Sequence, residues 1–140
     1  MQVAPVSAKN DLQNLRISPL QMAIAASAFS NAGIRPTPRI ALAVNTPQQG
    51  WVILPAIGES QQIFSAQAAA ASVKNFSTQD QPFWEWSGSS GSDKEVFTWY
   101  LSGTVPNWQG TPLTIVVLLE GTYPATAQLI VQQVIQFATK

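Results

Sequence analysis

"LTIVVLLE", Leu113–Glu120, is apolar at every position except Thr114 and the closing glutamate. Successive side chains of a strand point to opposite faces, so this one is apolar on both. An antiparallel strand with one wet face alternates polar with apolar. A strand that does not alternate is covered on both sides. The fold therefore needs helices above and below one sheet, an α+β sandwich three layers deep.

The neighbouring segments fit that plan. In "EVFTWYLSG", Phe97, Trp99 and Leu101 fall on one face and Val96, Thr98 and Tyr100 on the other. This strand is expected to run antiparallel to Leu113–Glu120. "FWEW", Phe83–Trp86, reads as a short strand, and the "SGSSG" that follows reads as a flexible hairpin tip. After the last strand, "PATAQLIVQQVIQFATK" starts at Pro124. It sets Ala127, Ile130, Val131, Val134 and Phe137 at helical spacing, with Gln128, Gln132 and Gln136 opposite. That predicts an amphipathic helix docked on the sheet.

Upstream, "SPLQ" marks a helix start. Ser18 is the expected N-cap, Pro19 suits the first helical position and Gln21 completes a capping box. The helix is expected over Pro19–Asn31, stopping at Gly33. Its apolar residues nearly encircle it, which predicts burial. Arg39–Val44 and Trp51–Ala56 flank "NTPQQG" and read as a hairpin. The Ala-rich stretch Ser65–Phe76 reads as a short helix capped by Ser65. Residues 1–17 read as an irregular lead-in to 18–140. The order is helix, hairpin, helix, three antiparallel strands, helix.

A chain of 140 residues makes a single domain or a domain fragment. It is long enough to bury about two thirds of its unfolded surface. Hydrophobic residues make up 46%, but charged ones only 10%, far below the usual quarter or so. A net charge of zero, with Lys and Arg scattered, gives no field for nucleic acid or acidic lipid. With no cysteine there is neither disulfide nor thiolate metal site, and with no histidine the commonest base and metal ligand are missing. A triad containing His is impossible here, and no metal or cofactor is expected. No apolar run reaches the ~20 residues of a membrane span, and no signal peptide opens the chain.

With these elements placed, "ISPLQMAIAASAFSNAGIRPTPRI" resembles the segment of penicillin-binding proteins, the D,D-transpeptidases of cell-wall synthesis, that follows their second active-site motif. "FTWYLSGTVPNWQGTPLTIVVLLEG" looks like the strand pair that ends that domain, and "PATAQLIVQQVIQFA" like its last helix. The resemblance runs from Ile17 to Phe137. It implies the C-terminal half of a penicillin-binding-protein/β-lactamase-like transpeptidase domain: an antiparallel sheet of at least three strands packed between helices. The family carries Ser-x-x-Lys, Ser-x-Asn and Lys-Thr-Gly around its cleft. Neither of the first two occurs in this chain. Trp86, Ser87 and Gly88 stand where Lys-Thr-Gly falls.

That substitution changes the chemistry. In the family the Lys supplies a cation near the substrate carboxylate and takes part in proton traffic around the serine. An indole offers one neutral N–H and nothing that titrates. The resemblance thus implies a degenerate substrate-binding position at Trp86, Ser87 and Gly88, and no catalytic residue. It also implies a longer parent chain with the N-terminal half of the domain and a membrane anchor, placing this portion outside the cytoplasmic membrane.

Two other readings compete. Trp84, Trp86, Trp99 and Trp108 could line a glycan or peptide groove in an independent binding or scaffold module, although strands also favour aromatics for packing alone. Glu85 and Glu95, with Asp93 in the turn, are the carboxylates near the strand and could form a hydrolase pair. The final strand adds an expectation of its own. In the family its far side is paired with strands this chain lacks, so Leu113–Leu119 is expected to be an apolar edge. Such an edge invites pairing: by a second copy in a homodimer, by the N-terminal lead-in, or by the Arg39–Val44 hairpin.

Overall fold

The computed structural model describes residues 16–55, 58–77, 81–92 and 95–138. Helix α1 spans Pro19–Ser30. Its capping box is formed: the Gln21 N–H donates to Ser18 Oγ at 3.2 Å and the Ser18 N–H donates to Gln21 Oε1 at 2.8 Å. It ends at Asn31, and Gly33 then takes φ +84°, the left-handed conformation that glycine adopts without cost. Strand β1 (Ile34–Arg35) pairs with β4 (Gln61–Gln62), a small sheet that the sequence did not announce. Strands β2 (Ala43–Thr46) and β3 (Gly50–Ile53) form the expected hairpin, shorter than Arg39–Val44 and Trp51–Ala56 and shifted toward the turn. Helix α2 (Ala66–Phe76) follows Ser65, whose Oγ accepts the Ala68 N–H at 3.1 Å.

The main sheet has the order β5-β6-β7, antiparallel throughout, with β5 over Phe83–Ser92, β6 over Glu95–Thr104 and β7 over Thr114–Glu120. Leu101 faces Val116 and Tyr100 faces Val117, as the both-faces reading of the last strand requires. On one face Trp84, Trp99 and Leu101 form a core with Ala26 of α1 and Val73 of α2; Val116 and Leu118 pack against it. On the other, Tyr100 packs with Ala127, Val131 and Ile135 of helix α3 (Pro124–Ala138), beside Ile115, Val117 and Leu119. The fold is therefore α+β, with helices on both faces of an antiparallel sheet. Ile17, at the end of the expected lead-in, packs on the first core; residues 1–15 lie outside the described residues.

Four expectations need correction. "SGSSG" is not a hairpin tip: β5 continues through it to Ser92, zipped to Glu95–Tyr100 of a strongly strand-forming partner. Helix α1 is buried only on its C-terminal half, at Ala26, Ala28 and Ser30, while Leu20 in its first turn is exposed. In α3 Ala127 and Val131 are buried as expected and Ile135 joins them, while Ile130, Val134 and Phe137 of the expected stripe are exposed, Phe137 at 81%. The Arg39–Val44 hairpin also does not fill the β7 edge, because β2 and β3 pair only with each other. Among the described residues nothing pairs with the outer side of β7.

Candidate functional site

The residues at the expected active-site strand lie in mid-β5: Trp86 faces Leu101, Ser87 faces Tyr100 and Gly88 faces Trp99. Alternation puts Trp86 and Gly88 on the face of α1 and α2, and Ser87 on the face of α3. Trp86 extends past that core and is 42% exposed. Its indole folds along the strand over Gly88: a Cβ built there meets the tip of the ring. Glycine at 88 is therefore what lets Trp86 lie flat. Further along, the Trp99 indole N–H donates to Ser90 Oγ at 2.8 Å, so that hydroxyl is occupied. None of these side chains titrates near neutral pH, and Ser87 leaves the sheet on the opposite face from Trp86. The arrangement offers an exposed indole and a strand edge for contact.

The four tryptophans do not line one groove. Trp84 (1% exposed) and Trp99 are core, while Trp108 stacks on Phe83 across the sheet from Trp86, ring centroids 5.5 Å apart. Glu85 and Glu95 are too far apart for a hydrolase pair, and Asp93 lies outside the described residues. Glu95 faces Ser92, and positions 85 to 92 of one strand span about 24 Å at the usual rise per residue. Both carboxylate arrangements are far shorter.

What the sequence did not show is the environment of Glu85. Tyr100 donates its hydroxyl proton to Glu85 Oε2 at 2.8 Å, a diagonal pair across β5 and β6. Burial, and then the Glu85 carboxylate, push the Tyr100 phenol well above its ordinary range, so it stays a donor. Gln128 of α3 reaches the same hydroxyl. The signal was present only in the strand register, which places Tyr100 opposite Ser87 and so one diagonal step from Glu85.

No family model and no curated protein matches the sequence. Among solved structures, a peptidoglycan synthetase from Bifidobacterium adolescentis is similar to 87% of this chain, with a TM-score of 0.61 and 16% identity. The match occupies 27% of that protein, so this chain spans about a quarter of its length. The likeness is one of fold: the helices and antiparallel strands of this chain superpose on part of a much larger protein.

Proposed function

We propose that this chain is the C-terminal part of a penicillin-binding-protein-like D,D-transpeptidase domain of peptidoglycan synthesis, non-catalytic as it stands. The observation that carries the reading is the fold match over 87% of this chain to a piece of a peptidoglycan synthetase. The "SPLQMA" helix start and Trp86, Ser87 and Gly88 at the Lys-Thr-Gly position support it from sequence. The open side of β7 supports it from structure. An apolar groove touching Ala23 and Ile24 of α1 and Leu113 lies on one flank of that edge. The exposed Ile130, Val134 and Phe137 of α3 form a second apolar row. A further strand from the N-terminal half of the domain would be covered on both faces there. The parent chain would carry Ser-x-x-Lys and Ser-x-Asn and a membrane anchor, with this part outside the cytoplasmic membrane.

The test has two arms. Sequencing the reading frame upstream of Met1 is expected to reveal both missing motifs. A fluorescent penicillin is expected to leave no covalent label on the 140-residue chain, which lacks the serine–lysine dyad. A true start codon at Met1 overturns the fragment reading. Stoichiometric acylation of any serine overturns the non-catalytic one. A stand-alone binding or scaffold module is the second reading, favoured by the exposed indole of Trp86 on the sheet; a start codon at Met1 would select it.

A further inference from the structure

Helix α3 covers β6 and β7 and, among the described residues, leaves a gap beside it over the same face of β5, where Trp108 packs against Phe83. The gap is a cleft of about 490 Å³, with Phe83 and Glu85 of β5 on its floor and Gln128, Gln132 and Gln136 along its wall. The three glutamines repeat every fourth residue, so they form one row on the flank of α3. Among the described residues no lysine or arginine lines the cleft. It lies across the sheet from Trp86 and owes nothing to the cell-wall reading.

Its one charged group among the described residues is the Glu85 carboxylate. Tyr100 spends its one proton on Glu85 Oε2 and fixes the carboxylate in place, and the other carboxylate oxygen is left to the cleft. Ser102 stands directly opposite Glu85 in the register and so leaves the sheet on the same face. Its hydroxyl is fully buried outside the lining of the cleft and has no hydrogen-bond partner among the described residues. Each glutamine adds a carbonyl oxygen that can turn toward a donor. A half-buried carboxylate beside three glutamines whose amides can present their oxygens, with no cation lining the cleft among the described residues, is matched by a compact group that carries positive charge and several donors.

We propose that this cleft binds a primary ammonium group, the chemistry of a lysine side chain on a peptide. The ammonium sits against Glu85 and donates to the oxygens of Gln128 and Gln132, while the methylenes of its stem lie on Phe83. Tyr100 acts as a positioning residue: it holds the carboxylate without neutralising it.

The test is a titration of the whole chain with Nα-acetyl-lysine methylamide, followed by the NMR signals of the glutamine side-chain amides. Saturable shifts at Gln128 and Gln132 are expected. The norleucine analogue, which keeps the carbon stem and lacks the ammonium, is expected to bind about tenfold more weakly, the loss of one charge-assisted hydrogen bond. Glu85→Gln keeps an acceptor for Tyr100 and is expected to show the same weakening with an otherwise unchanged spectrum. Equal binding of the two probes overturns the proposal. So do shifts outside the cleft, an undiminished affinity of Glu85→Gln, or no binding at all.

Discussion

Ser30 and Trp84, 54 positions apart, are joined by a buried hydrogen bond in which the indole Nε1 donates to the serine Oγ at 3.0 Å. The same oxygen accepts from Thr114 Oγ1 at 3.3 Å and donates to the Leu113 carbonyl at 3.4 Å. One hydroxyl thus ties the end of α1 to both outer strands of the main sheet. Ser30→Ala leaves the buried indole N–H unpaired, and stability is expected to fall by about 1–3 kcal/mol. Urea unfolding measures it. An unchanged midpoint would show that the tie carries no weight.

Glycine is required at position 33 and only preferred at position 50. Both have positive φ, +84° and +67°. A Cβ at Gly33 runs into the Phe64 backbone carbonyl, whereas one at Gly50 meets nothing within 4 Å. Gly50→Ala is expected to cost about 1–2 kcal/mol, the left-handed penalty alone. Gly33→Ala is expected to cost clearly more, since backbone must move. Paired melting curves decide; equal losses would contradict the geometry.

Tyr100 makes the fold sensitive to alkali. Its phenol is raised above the ordinary 10.0 in the folded chain by burial and by Glu85. The stabilising difference is complete while both states are protonated. As pH climbs past the ordinary value the unfolded phenol ionises first, and stability declines until the folded one ionises too. Urea midpoints from about pH 8 to about pH 11 are expected to fall in the native chain and to fall less steeply in Tyr100→Phe. Parallel curves would remove Tyr100 as the cause.

The outer side of β7 is expected to drive the isolated chain to dimerise, two copies pairing antiparallel about a two-fold axis. Sedimentation should show a concentration-dependent dimer. The chain has no native cysteine, so Ile115→Cys, Val116→Cys and Val117→Cys can each be tested for self-crosslinking, and the one nearest the axis should react. A monomer at every concentration rules the pairing out.

The architecture was legible because β7 has only one reading: Leu113–Leu119 lacks alternation, and a strand without alternation needs two covers. Capping was equally local, fixed by Ser18 and Gln21 alone. The orientation of α3 was not local. Its sequence holds two apolar rows, Ala127–Val131–Ile135 and Ile130–Val134–Phe137, and the choice depends on where the helix sits over β6 and β7. The length of β5 was hidden for a similar reason. Ser and Gly are poor strand formers, and only the ladder to β6 makes "SGSSGS" a strand. Of the site, Trp86 was read on the strand but Ser87 and Gly88 in its turn, and both their place in β5 and the Glu85–Tyr100 contact needed the register.

Of the three strands in the main sheet, β6 alone has a neighbour on each side. Its amide protons can reach solvent only when β5 or β7 detaches or the whole sheet opens. In β5 and β7, by contrast, every second amide points away from the ladder and exchanges through small local fluctuations. Deuterium should therefore enter the two outer strands in an alternating pattern and reach Val96–Gly103 last. The slowest protons of the molecule then sit between its two cores, and their rate reports the opening of the entire fold.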